Sequence, residues 1–317
     1  MAAKLMDGIG LVSGVLGIVG FIQDNVPDDP PEGANIRVKL GLGDDDNHGI
    51  EGDIGATYAW DTNNNYIGKS GGAEIGEPGD THDFTIDQFS PGTRAEYVGV
   101  AAEKNAVCIA WITVKMHDET KGGSWTGDVG AECGQDWFHQ TEMAGFLDKD
   151  AEHPKERYIP KCTWLDEDHS NDIPTAALKF KTMAYGETAE DTVGQNKACD
   201  FTKWGPDNGP INDKPGKRAP RPRQKWMEDR LIMSNISQHT AESLCSSATS
   251  YGPDFVGSDG LFCDMHTKTL TPLCSTKQVD GCLNVDAEGK VITKRSSVAK
   301  RQVETKHKSY AKISHWE

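Results

Sequence analysis

Eight cysteines in two sets of four constrain this chain more than any other feature. Cys108, Cys133, Cys162 and Cys199 form the first set; Cys245, Cys263, Cys274 and Cys282 form the second. An even total, split about a basic, proline-rich stretch, fits two separate disulfide frameworks whose pairings the sequence leaves open. No C-x-x-C pair occurs, so zinc-ribbon and thioredoxin-like readings are weak. All eight are disulfide candidates, and they predict an oxidising, extracellular or cell-surface setting. Asn235-Ile236-Ser237 adds a glycosylation sequon with Asn235 as its acceptor.

The chain has 317 residues, 36% of them hydrophobic, with 34 Gly and 15 Pro, which points to a loop-rich, mostly β protein. Ile36-Arg37-Val38-Lys39-Leu40 and the run from Ile54 to Trp60 alternate as half-buried strands do. The runs 94–100, 106–114 and 176–183 are strand-like, and Asp-, Asn- and Gly-rich turns separate them, the pattern of a β-sandwich. The expected fold class is therefore a β-sandwich domain over 34–188, preceded by a Gly-rich apolar N-terminal helix and Pro-rich connector over 1–33. An extended basic linker over 189–230, a small Cys-rich module over 231–283 and a basic C-terminal arm over 284–317 are expected to follow. In the module, Asn235 or Ser237 is the expected cap of a short helix through 239–246. In the arm, 309–316 alternates well enough to add an edge strand to its own sheet or to a neighbouring copy's.

No charge occurs between Asp7 and Asp24. Read as a helix, Leu5, Ile9, Val12, Leu16 and Val19 form one apolar stripe, and Leu11, Val15, Ile18 and Ile22 form a second. Gly10, Ser13, Gly14, Gly17 and Gly20 leave a face without bulk, where another backbone can approach. Each glycine costs about 1 kcal/mol relative to alanine in a helix, so such a segment needs neighbours on several sides. A signal peptide is disfavoured because Asp7 interrupts the run and no small-x-small site follows Ile22. The run is also short for a transmembrane helix. Packing against copies of itself is the leading expectation, through Leu5, Ile9, Gly10, Val12, Gly14, Leu16, Gly17, Val19, Gly20 and Phe21. Insertion into lipid, in the manner of pore-forming proteins, ranks second.

Charge is unevenly spread. Residues 1–200 hold 36 acidic and 15 basic side chains, whereas 201–317 hold 13 acidic and 18 basic. An acidic body argues against nucleic-acid binding and suits head-to-tail contact between copies.

Three stretches carry a resemblance. They are Trp125-Thr126-Gly127-Asp128 through Cys133-Gly134-Gln135-Asp136-Trp137, Lys161-Cys162-Thr163-Trp164-Leu165-Asp166, and Gly252-Pro253-Asp254-Phe255-Val256 through Phe262-Cys263-Asp264 and Pro272-Leu273-Cys274. Together the chain resembles an uncharacterised family of filamentous-fungal secreted or cell-surface proteins. The resemblance implies a fungal, extracellular setting and carries no activity over.

Sites for chemistry are sparse. Asp44 and Asp46, and Asp61 with Asn63, place oxygen ligands at alternating positions as calcium requires, but neither stretch has an EF-hand's Gly and Glu. They are weak calcium candidates, and no cofactor is expected. Asp166-Glu167-Asp168-His169 with Asp172 offers carboxylates beside an imidazole, more simply read as a solvated loop. No nucleophile elbow, P-loop or paired-histidine motif is present, so an enzyme is not expected. Trp125, Trp137 and Trp164 lie in Gly/Asp-rich segments, where exposed rings could stack on sugars or, as plugs, close the ends of a sandwich. The expected function is a non-catalytic, self-assembling extracellular structural protein, oligomeric or filamentous. Its expected partners are copies of itself, then a lipid membrane or a cell-wall glycan. A membrane-inserting protein and a cell-surface carbohydrate-binding protein are the alternatives.

Overall fold

The computed structural model describes residues 33–42, 52–72, 78–118, 120–147, 156–211, 223–286, 288–298 and 301–317. The N-terminal helix and its candidate interface lie outside the described residues, as do Asp44 and Asp46. The chain divides into two compact units, Met1–Pro220 and Arg221–Glu317.

The first unit begins with β1 (Asn35–Leu40), β2 (Ile54–Trp60), β3 (Tyr66–Lys69), β4 (Thr81–Thr85) and β5 (Asp87–Gln88). Then come β6 (Tyr97–Ala102), β7 (Val107–Lys115), β8 (Lys121–Thr126), helix α1 (Gly127–Glu132), β9 (Trp137–Phe138), β10 (Gly145–Leu147) and β11 (Glu156–Tyr158). β12 (Cys162–Leu165), β13 (Ala177–Lys181), the short helices α2 (Ala189–Gly194) and α3 (Ala198–Phe201), and β14 (Thr202–Gly205) complete it. One sheet runs β4-β1-β7-β12-β9, with β8 also on β7, and the other runs β14-β13-β6-β2-β3-β5.

Strand alternation makes the sandwich. Ile36, Val38 and Leu40 of β1, with Val107, Ile109, Ile112 and Val114 of β7, share one core with Val98 and Val100 of β6 and Leu178 and Phe180 of β13. The core parity on β7 slips once. Lys39 pairs with Trp111 but Leu40 with Ile109, so Ala110 is the extra residue of a bulge. β7 also serves two neighbours along a single edge, β12 over 107–109 and β8 over 111–115. Where β8 passes under residue 182, a side chain at Gly123 would start 2.2 Å from the Thr182 carbonyl oxygen; the close approach requires glycine.

The sheet runs past residue 188, into the expected linker. β14 pairs with the edge of β13 through Ala177↔Gly205 to Phe180↔Thr202. A four-residue edge strand next to Gly and Pro carries too little periodicity to be read from sequence. Trp125, Trp137 and Trp164 lie in β8, β9 and β12, all three buried. They belong to the interior and offer no ring to a ligand.

The second unit contains α4 (Lys225–Glu228), β15 (Arg230–Ser234), α5 (Ala241–Ser246), β16 (Asp254–Val256), β17 (Leu261–Asp264) and β18 (Thr269–Pro272). β19 (Leu283–Val285), β20 (Val291–Val298), β21 (Arg301–Ser309) and β22 (Lys312–Trp316) follow. One sheet runs β18-β17-β16-β15-β22, with β15 parallel to both neighbours, and a second runs β19-β20-β21. The expected basic arm is therefore integral to this unit. β22 forms an edge of its own chain's sheet, and Tyr310 is buried with Leu231, Phe262, Leu283 and Ile292. The cap of α5 is Thr240, whose hydroxyl accepts from the Ser243 N–H at 3.3 Å, in place of Asn235 or Ser237.

All eight cysteines are paired: Cys108–Cys162, Cys133–Cys199, Cys245–Cys263 and Cys274–Cys282, two bridges in each unit. Four disulfides mark an oxidising environment. Cys108–Cys162 joins neighbouring strands β7 and β12, whereas Cys133–Cys199 ties the end of α1 to α3 across 66 residues. Loop-closure entropy gives a bridge of that span about 4 kcal/mol. Replacing Cys133 and Cys199 together by alanine is expected to lower the urea-unfolding free energy of the first unit by about that amount, read by tryptophan fluorescence.

Candidate functional site

The outer face of the β14-β13-β6-β2-β3-β5 sheet is aromatic. Alternation that sends Ala59 inward sends Tyr58 and Trp60 outward, and Val98 inward places Tyr97 and Gly99 outward. Trp60 lies over Gly99, where an added Cβ would sit 3.0 Å from its ring. The missing side chain makes the seat for the indole. Tyr58, Trp60 and Tyr66 stand with ring centroids 6.1–6.3 Å apart, and Phe89 meets Tyr66 edge-on at 5.4 Å. Such spacings are those of favourable tilted and T-shaped pairs.

Polar groups are set into this face. Lys179 of β13 holds its ammonium 3.7 Å from the Trp60 centroid and 5.4 Å from that of Tyr97, and donates to Asn64 Oδ1 at 2.6 Å. The Tyr58 hydroxyl donates to the Asn208 carbonyl at 2.6 Å, pinning the 206–211 segment to the rim. Burial, then the neighbouring Tyr66, raises the Tyr58 phenol, and burial raises that of Tyr66. Both rings stay neutral donors. Trp60 and Tyr58 are buried, Tyr66 and Tyr97 half-buried, while Phe89 is 73% exposed. The result is a ledge in which Tyr58 and Trp60 are covered and give support, while Tyr66 and Phe89 are the rings that water reaches.

Two buried carboxylates are the other unusual groups. Asp254, 1% exposed, accepts four hydrogen bonds. Arg223 (2.8 Å) and the Met265 N–H (2.9 Å) reach Oδ1, and Lys308 (2.8 Å) and the Tyr310 hydroxyl (2.7 Å) reach Oδ2. Lys308 also pairs with Asp264 at 2.7 Å. Burial pushes the Asp264 carboxyl up, but Lys308 and the N–H groups of Thr267 and His266 outweigh it and hold it below the ordinary range. Nearby, Lys268 donates to the Ser250 hydroxyl and to the Ser250 carbonyl at 2.8 Å. A serine hydroxyl on a lysine whose pKa burial lowers to about 8 superficially matches a Ser–Lys catalytic pair. Yet Ser250 is buried and spends its proton on the Leu244 carbonyl at 2.6 Å, near the end of α5. The pair fastens the turn before β18 to that helix.

Asp166 is the second. It is fully buried; its Oδ2 accepts the Asn171 N–H at 2.9 Å, while Oδ1 has no hydrogen-bond donor among the described residues. Burial, reinforced by Asp168, pushes its pKa up to about 6. Asp166 is the exception in a solvated loop, where Asp168, His169 and Asp172 are exposed. His169 spends Nδ1 on the Ile173 carbonyl at 2.6 Å, which removes the simplest acid–base partnership.

The remaining sequence candidates fall as follows. Asp61 caps the β2–β3 turn: Oδ1 accepts from the backbone of Asn63 and Asn65 at 2.8 Å each, and Oδ2 from the Asn65 amide. Those bonds, chiefly from Asn65, lower its pKa. Among the described residues no group of three or more His, Cys, Asp or Glu is placed to hold a metal. Asn235 is exposed just after β15, reachable by a modifying enzyme. Sequence reading missed the aromatic ledge. Its one visible signal was the Tyr58-Ala59-Trp60 alternation, which puts two large rings on the face opposite the core.

Comparison of the chain with known protein families finds no family model that matches. Comparison with curated proteins finds no similar sequence.

Because Asp166 has a folded pKa above the carboxylate's usual ~3.9, its contribution to stability is full below that value and is lost as pH rises through about 6. Asp166→Asn is expected to match wild type near pH 4 and to melt roughly 2–6 °C higher at pH 7.5, measured by calorimetry across that window.

Proposed function

We propose that this is a secreted, non-catalytic surface protein that binds glycan through the aromatic ledge of its sandwich. The observation that carries this reading is Phe89, 73% exposed yet packed edge-on against Tyr66, which in turn packs on Trp60, the ring that carries Lys179. Phe89 continues the Tyr58–Trp60–Tyr66 ring cluster to the surface, so it belongs to a contiguous aromatic patch rather than being a scattered apolar side chain. Sugar rings present C–H faces of partial positive charge, which suit the negative face of an aromatic ring. Their hydroxyls suit amide and ammonium groups at the rim. The four disulfides support an extracellular location, and the resemblance noted in the sequence alone suggests a filamentous-fungal source.

The test is binding of the intact protein to insoluble cell-wall polysaccharides, such as chitin and β-glucan. Phe89→Ala combined with Tyr66→Ala is expected to weaken retention about tenfold, a loss of roughly 1.4 kcal/mol, with unchanged circular dichroism. Failure of the wild-type protein to bind any such polysaccharide would remove the reading.

Self-assembly is the second reading, favoured by the uncharged, Gly-rich run between Asp7 and Asp24. That segment also supports the membrane-inserting alternative; among the described residues no helix is long and apolar enough to cross a membrane. Deleting residues 1–26 is expected to leave a folded protein that no longer assembles through this segment. Sedimentation checks assembly, and dye release from liposomes checks insertion.

A further inference from the structure

Strands β20 and β21 are the longest in the second unit, and most of their length stands outside its core. β19 pairs with β20 only over 292–294. The backbone of Arg295 still bonds Gly281 and Cys282, but over 296–298 β20 pairs with β21 alone, and no described strand pairs with the far edge of β21. The distal hairpin is thus a ribbon of two strands with open edges. Lys294, Val303, Glu304, Thr305, Lys306 and His307 are exposed along it.

Such a ribbon is physically awkward. Two strands without a covering layer are marginal in water, and unpaired edges are templates for another chain. Protective devices are present, since a bulge interrupts the register between Ile292 and Thr293 and lysines line the strands. Those lysines also restrict which partner can approach. Residues 291–309 carry six Lys or Arg and one Glu. Lys308 is committed to Asp254 and Asp264, but Lys294 and Lys306 make no ion pair among the described residues.

We propose that this hairpin is a docking arm for the acidic sandwich unit of a second copy of the chain. Charge complementarity selects the occupant: residues 1–220 hold 38 acidic against 19 basic side chains, and a cationic ribbon is steered towards such a surface. A second copy is always present at the protein's own concentration. The contact is heterologous, ribbon to sandwich, so repetition propagates a chain of molecules unless a rotation closes it. The proposal is independent of the aromatic ledge and of the N-terminal segment.

Sedimentation velocity on the full-length protein tests it, with Lys294→Glu and Lys306→Glu combined as the variant. Both side chains are exposed and outside the Asp254 network, so the fold is retained, checked by circular dichroism. Wild type is expected to associate with rising concentration at about 50 mM salt and to do so about tenfold more weakly at about 500 mM. The variant is expected to associate about tenfold more weakly than wild type at the lower salt, and deletion of 1–26 to retain the arm's salt-sensitive contact. A wild type that stays monomeric throughout, or association that the charge reversal leaves unchanged, would overturn the proposal. So would association that appears only on adding an acidic polysaccharide, which would make the arm's partner a polymer. Association abolished by deleting 1–26 and untouched by the arm variant would assign assembly to the N-terminal segment.

Discussion

Strand β7 is the constraint on which the sandwich rests. Its inward residues, Val107, Ile109, Ile112 and Val114, supply the middle of the core, and three other strands hydrogen-bond to it. Sharing one edge between β12 and β8 is possible because each takes a different half of its length. The bulge at Ala110 lets both halves keep apolar side chains inward. Cys108 sits on the half paired with β12, so its bridge to Cys162 holds that pair together where the neighbour changes.

The smaller unit uses a different device. Its apolar core is modest, and its chain returns to one buried carboxylate. Asp254 gathers Arg223, Met265, Lys308 and Tyr310, residues far apart in sequence, at a single point. A buried charge is costly unless paired and fully hydrogen-bonded, and here all four donors are supplied. The arrangement explains why the lysine-rich C-terminal stretch is part of the fold: without Lys308 and Tyr310 the carboxylate would lose half of its partners. It also leaves the rest of β20 and β21 projecting from a firmly rooted base.

The ledge follows from the sandwich's own geometry. Any residue alternating with the core must face outward, and on this sheet the outward positions hold large rings where most sandwiches carry polar groups. Gly99 gives Trp60 a flat seat, and Lys179 lies against its ring. Phe89 directly follows the short edge strand β5, its N–H still bonded to the Ile67 carbonyl, and its ring is left exposed at the end of the cluster.

Sequence by itself determined the class of protein. Alternating runs located β1, β2, β6, β7 and β13, because a period of two is local and survives without knowledge of neighbours. The four-and-four division of cysteines anticipated two bridges per unit for the same kind of reason, since each set lies within one folding unit. Tertiary structure alone decided the rest. Which cysteine meets which, which tryptophans turn inward, that Thr240 caps α5, and that Tyr58, Trp60, Tyr66 and Phe89 converge all depend on cross-strand register. Register is fixed by contacts between residues distant in the chain, and no single stretch of sequence carries that information.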